Sequence, residues 1–110
     1  MTTAQVAEMI DSIGLPNAYY QFTNRTDVAP PFIAFYYPES MDFEADNINY
    51  LKINQLIIEL YTDNKELGLE KLIETKLNEN DLVFTRSETY LGDERMYMVV
   101  FSTSVIITEE

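Results

Sequence analysis

Three acidic residues at alternate positions form the pattern in this sequence that most resembles a metal-binding loop. Asp42, Glu44 and Asp46 place oxygen ligands two residues apart, which is typical of the first half of a calcium-binding loop. The pattern then stops, because Asn47 stands where the turn glycine belongs and Ile53 where the bidentate glutamate belongs. The sequence favours a solvated acidic loop, with weak cation binding as the alternative, and we expect no required metal or other cofactor.

Two carboxylate–lysine pairs resemble half of a magnesium-dependent nuclease site. Asp63 precedes Lys65 by two residues, and Glu74 precedes Lys76 by two residues. In such enzymes the carboxylate holds the magnesium ion and the lysine assists the attacking water. Residues two apart do not share a helix face, so Glu74 and Lys76 would not converge on one site. We interpret both pairs as surface charge, with Asp63 at the start of a helix.

The composition excludes most other catalytic chemistry. The 110 residues include no histidine and no cysteine, which excludes disulfides, thiolate nucleophiles, histidine-based triads and the usual zinc, haem and iron–sulfur sites. The three glycines form no phosphate-binding loop. Nineteen acidic against seven basic residues give a net charge of −12, which disfavours binding to nucleic acid phosphates. The sequence therefore predicts an acidic protein that is not an enzyme.

Length and apolar content predict a single domain over residues 1–110, since 46% of the residues are hydrophobic. Residues 1–5 lack the basic and apolar regions of a signal peptide. The apolar runs, such as residues 32–37, are too short to cross a membrane. We expect a protein that is made and kept in cytoplasm-like solution, with no membrane partner.

The first element is a short helix. Thr2 and Gln5 fit a capping box at its start, and Gly14 supplies the left-handed residue that follows its end. Apolar residues at positions i, i+3, i+4 and i+7 form the buried stripe: Val6, Met9, Ile10 and Ile13.

The remaining elements are strands with one further helix. Residues 18–22 and 32–37 are rich in aromatic side chains and are predicted to be strands. Residues 41–47 show no clear period and are predicted to be a long mobile loop. A long central strand is predicted over residues 50–61 because apolar residues occupy both of its faces. A helix follows from Asp63 to about residue 80, and the last two strands span residues 82–91 and 95–107. The order α-β-β-β-α-β-β favours an α+β fold with a mostly antiparallel sheet.

Several short runs resemble a family of small proteins from the tail-morphogenesis modules of siphophages and prophages of Gram-positive bacteria. These proteins are described as tail completion, tail terminator or head–tail joining proteins. The runs are Ile13-Gly14-Leu15-Pro16-x-Ala18-Tyr19-Tyr20-Gln21-Phe22, Pro30-Pro31-Phe32, Tyr36-Tyr37-Pro38-x-Ser40, Phe43-x-Ala45-Asp46, Tyr50 and Ile58-Glu59-Leu60-Tyr61-Thr62-Asp63.

The resemblance implies assembly rather than catalysis, and the family has no catalytic residues to transfer. It implies an α+β domain that forms a hexameric ring on the last ring of a tail tube and joins the tube to the head–tail connector protein. The implied partners are copies of this chain, the tail tube protein and the connector protein, with DNA only as passing cargo and the virion tail as location. Six copies would carry 6 × −12 = −72, which would repel DNA in the passage.

The predicted contact with a neighbouring subunit or partner is the acidic segment that follows the second strand. Its residues are Ser40, Met41, Asp42, Phe43, Glu44 and Asp46. We expect the surrounding segment, Pro38 to Asn49, to be mobile in the free protein and to be ordered by the neighbour that it contacts.

Two other functions remain open from the sequence. One is a head-side adaptor or stopper, which would bind portal-side proteins first. The other is an acidic mimic of DNA that blocks a nucleic-acid-binding host protein, for which carboxylates should lie in rows on one face. The even spread of charge and the aromatic strands favour assembly over mimicry.

Overall fold

The computed structural model describes residues 1–20, 29–44 and 50–108. In these ranges the chain forms two helices and six strands: α1 (Thr3–Asp11), β1 (Asn17–Tyr19), β2 (Phe32–Tyr36), β3 (Ser40–Glu44), β4 (Tyr50–Thr62), α2 (Leu67–Glu79), β5 (Phe84–Leu91) and β6 (Met96–Ile106). The α+β class, the mostly antiparallel sheet and the order of the predicted elements are confirmed. One short strand, β3, is additional.

The capping box at the start of α1 is confirmed. The Gln5 backbone N–H donates to Thr2 Oγ1 at 3.1 Å, and the Thr2 N–H donates to Gln5 Oε1 at 2.9 Å. Gly14 has a φ of 88°, a left-handed conformation that a residue without a Cβ adopts with little strain. The helix buries three residues of the predicted stripe, Val6, Met9 and Ile10.

β4 is the central strand of the sheet, as predicted. The strand order is β1-β2-β4-β6-β5, so β4 has hydrogen-bonded neighbours on both sides. Its register with β6 is unbroken from Ile53↔Ile106 to Thr62↔Tyr97. β1 runs parallel to β2, whereas the other paired strands are antiparallel.

The loop predicted over residues 41–47 is wrong for its first part, because residues 41–44 belong to β3. This strand pairs with β4 from Ser40↔Asn54 to Glu44↔Tyr50, on the side that β2 also uses. β2 ends at Tyr36↔Ile57, so three residues, 37–39, oppose two, 55–56, and form a β-bulge. Residues 45–47 lie outside the described residues.

The predicted start of α2 at Asp63 is also wrong. β4 continues to Thr62, a bend follows, and the helix begins at Leu67 with Glu66 as its N-cap. The Glu66 side chain makes no capping hydrogen bond. The predicted end is confirmed, since α2 ends at Glu79 with Asn80 as its C-cap.

Both helices pack on one face of the sheet and bury the main core there. Every second side chain of β4 and β6 points toward the helices, because successive side chains of a strand alternate between its two faces. Helix side chains three or four residues apart share one face and pack against them. The buried core residues are Val6, Met9, Ile10, Ile13, Ile33, Phe35, Leu56, Ile58, Leu60, Ile73, Leu77, Leu82, Val99, Phe101 and Val105.

A second, smaller apolar cluster lies on the opposite face of the sheet. Phe32 and Tyr61 stack with their ring centroids 4.8 Å apart, next to the buried Ala34. Leu91, Met96 and Met98 pack around these three residues. Within the described ranges, this cluster is built from strand residues alone.

Candidate interaction surfaces

The predicted contact segment is only partly brought together by the structure. Ser40, Met41, Asp42, Phe43 and Glu44 are successive residues of β3, and Ser40 is exposed. As a strand rather than a loop, β3 presents them in fixed register with β4. Asp46 lies outside the described residues.

The two nuclease-like pairs do not form a common site. Each lysine is engaged by other carboxylates: Lys65 by Glu70 and Glu88, and Lys76 by Glu79 at 4.0 Å. Among the residues that the structure describes, no group of three or more Asp, Glu, His or Cys residues is arranged to hold a metal ion.

An ion-pair cluster joins α2 to β5 and to the segment between β4 and α2. Glu70 is 3% exposed, and its carboxylate binds Lys65 Nζ at 2.7 Å and receives hydrogen bonds from Arg86, including one from Nε at 3.1 Å. Lys65 and Arg86 also contact Glu88. Two cations and two anions cancel, so the cluster has no net charge.

The cations determine the protonation of Glu70. Burial raises the pKa of this carboxyl, but the hydrogen bonds from Lys65 and Arg86 outweigh burial and hold its pKa below the ordinary value. Hydrogen bonding to Glu70 likewise raises the pKa of Lys65. All three groups are therefore charged at neutral pH, and the cluster fixes β5 against α2.

Two tyrosines converge on one carboxylate on the face of the sheet away from the helices. Tyr36 donates to Glu59 Oε2 at 3.0 Å, and Tyr61 donates to Glu59 Oε1 at 2.8 Å. Burial, followed by the hydrogen bond and the charge of Glu59, raises the pKa of Tyr36. This polar group lies beside the small apolar cluster and gives the face a mixed character that suits a protein contact.

Aromatic side chains gather at the β1 end of the sheet. Tyr19 is 54% exposed and packs edge-on against Phe35 at 5.5 Å, with Tyr37 at 5.9 Å. Tyr20, which has a φ of 75°, is 64% exposed and lies 5.6 Å from Tyr36. Partly exposed tyrosines of this kind are enriched in protein interfaces because they combine apolar area with a polar tip.

The sequence alone identified neither the ion cluster nor the Tyr36–Glu59–Tyr61 group. Tyr36 and Glu59 are 23 residues apart and meet through the pairing of β2 with β4, whereas Glu70 and Arg86 are 16 apart and meet where α2 packs beside β5. For β3 a local signal did exist: Met41 and Phe43 alternate with Ser40, Asp42 and Glu44, as in a half-buried strand.

Comparisons with known proteins give a structural likeness. No protein family matches the sequence, and no curated protein matches it either. The fold is similar to that of a chain in the virion of a native gene transfer agent particle, with a TM-score of 0.60 and 13% sequence identity. The match covers 89% of this chain and 84% of that chain. No helix in the described part of the chain is long and apolar enough to cross a membrane.

Proposed function

We propose that this chain is a structural protein of a virion, and that it acts there as a tail terminator of the siphophage type. The observation that carries the proposal is the likeness of nearly the whole fold to a component of a gene transfer agent virion. The sequence resemblance to tail completion and head–tail joining proteins supports the same assignment, and it rests on short sequence runs rather than on the fold. The protein would work by assembly, without a metal or other cofactor, in the virion tail.

In this proposal six copies form a ring that ends the growing tail tube and offers its other face to the head–tail connector. The β3 segment, Ser40 to Glu44 together with Asp46, is the proposed contact with the neighbouring subunit or the tube. The strand pairing of β3 supports this role, because a strand presents its side chains in a fixed spacing. The exposed tyrosines at the β1 end provide further contact area.

The charge distribution gives less support to a DNA mimic. Along α2, Lys71 and Lys76 interrupt the carboxylates, and Glu70 is buried with two cations. A mimic of the phosphate backbone needs uninterrupted rows of exposed negative charge. We therefore keep assembly as the single proposed function.

Deleting the gene for this chain from the virus that encodes it tests the proposal. The experiment also distinguishes a tail terminator from a head-side adaptor. A terminator that is missing leaves overlong tail tubes that do not join filled heads, and expression of the wild-type chain in trans restores tubes of uniform length. Tubes of normal length beside unjoined heads would contradict a terminator and indicate a head-side adaptor. Fully infectious particles from the deletion would contradict any role in the virion.

A further inference from the structure

The edge of the sheet formed by β5 is long, and no strand among the described residues covers its outer side. Within the described ranges β6 is its one strand neighbour, and the two pair without a bulge from Phe84↔Thr103 to Leu91↔Met96. Six of its eight residues are exposed. Proteins commonly protect such an edge with lysine, proline, a bulge or a short strand. β5 has eight residues, no lysine, no proline and no bulge, and its two charged residues are Arg86 and Glu88.

The charges of β5 do not block this edge. Arg86 and Glu88 lie on the helix side of the sheet, where Arg86 binds Glu70 and Glu88 binds Lys65. An open groove of about 530 Å³ between α2 and Arg86 leaves space beside the strand. The cluster is neutral, so on a chain of net charge −12 this edge is a place where a second copy meets little local repulsion.

The sequence of β5 is chemically symmetric about Ser87. If two copies of β5 pair antiparallel with Ser87 opposite Ser87, Arg86 of each copy lies opposite Glu88 of the other. Thr85 then lies opposite Thr89, and Phe84 opposite Tyr90. Opposite-charge, β-branched and aromatic pairs are the cross-strand combinations that stabilise antiparallel sheets.

We propose that two copies of this chain pair through β5 in this register and form a two-fold symmetric dimer with a continuous sheet. Such a contact is isologous and closes after two copies, so it does not generate a ring. The dimer is therefore a state of the free protein, and its formation is independent of the proposed role in tail termination. It covers an edge that would otherwise template uncontrolled strand pairing.

Charge pairs introduced at Thr85 and Thr89 test the register. Both threonines are exposed and lie on the face away from the helices, since they pair with Ser102 and Met98. Thr85→Lys with Thr89→Lys places two lysines opposite two lysines across the dimer. Thr85→Lys with Thr89→Glu, the matched control, places opposite charges there instead. The double-lysine variant also changes the net charge from −12 to −10, so weaker pairing cannot come from greater overall repulsion.

Sedimentation equilibrium of the wild type and both variants at moderate salt gives the dimer dissociation constants, and circular dichroism confirms the fold of each. We expect a wild-type dimer, a dissociation constant raised roughly tenfold by the double-lysine change, and pairing retained or tightened by the lysine–glutamate change. A monomeric wild type overturns the proposal, and so does equal association of the two variants in any oligomer. Tail termination can hold or fail without altering either result.

Discussion

Glu70 keeps a negative charge where water hardly reaches, and this couples the stability of the fold to pH. Its pKa is lower in the folded chain than its ordinary value of 4.5. The ion cluster therefore stabilises the folded state fully above about pH 4.5, and this contribution is lost as the pH falls through the folded pKa. Removing either cation leaves the buried Glu70 carboxylate with less counter-charge, which is unfavourable.

We expect Glu70→Gln to lower the free energy of unfolding at pH 7 by about 1–3 kcal/mol, because Lys65 and Arg86 lose their shared carboxylate. The loss should shrink as the pH falls below about 4.5, since the wild type gives up this contribution as the pH passes through the lowered pKa of Glu70 in the folded chain. Urea denaturation from pH 7 down through that range measures both effects, with Glu94→Gln in the exposed β5–β6 turn as the control. Equal stability of Glu70→Gln and the wild type at pH 7 would contradict the assigned role.

A second prediction concerns the carboxylates of the two nuclease-like pairs, Asp63 and Glu74. Asp63 is exposed and does not begin α2, so Asp63→Asn with Glu74→Gln should change the free energy of unfolding by no more than about 0.5 kcal/mol. We also expect excess chelator to leave Tm unchanged and the wild type not to cleave DNA with magnesium. DNA cleavage that requires magnesium and disappears in the double variant would overturn this view.

Among the helices and strands, local signals were sufficient for α1, for the end of α2 and for five of the six strands. The capping box and stripe of α1 lie within twelve residues, so the sequence contains all the information that the helix needs. β3 was missed because the bulge at residues 37–39 interrupts the alternation just before it. The start of α2 was misplaced because Asp63 offers a capping side chain, whereas the contacts of Lys65 with Glu70 and Glu88 hold that segment outside the helix.

The Thr2 N-cap of α1 is predicted to contribute to the stability of the fold. Thr2→Ala removes the acceptor for the Gln5 N–H and should lower the free energy of unfolding by about 1 kcal/mol. Thr2→Ser keeps a hydroxyl and should remain within about 0.5 kcal/mol of the wild type. Chemical denaturation measures both variants, and equal losses in the two would show that the cap is not the source.

The charged residues of β3 are predicted to contribute to binding at the end of the tail tube. Asp42→Asn with Glu44→Gln removes two charges from the proposed contact, and Asp93→Asn with Glu94→Gln removes two charges from the exposed β5–β6 turn. We expect the β3 variant to lose at least about tenfold in binding to tail-tube ends, since charge complementarity orients partners. The turn variant should bind like the wild type. Identical binding of the two variants would place the contact elsewhere.

At the scale of the whole molecule, the chain is an elongated acidic body with principal extents of 51 × 27 × 22 Å. Its helices cover one face of the sheet, while the opposite face presents an apolar cluster beside the Tyr36–Glu59–Tyr61 group. Among the described residues, β5 has no strand on its outer side, and no helix covers the face of the sheet away from α1 and α2.

Electron microscopy of the purified chain with tail tubes from particles that lack it tests the proposed function most directly. We expect a cap on one end of each tube, with six-fold symmetry in end-on averages, and tubes that no longer lengthen when tube protein is added. Tubes that stay uncapped at both ends and continue to grow in an excess of this protein would contradict the proposed function.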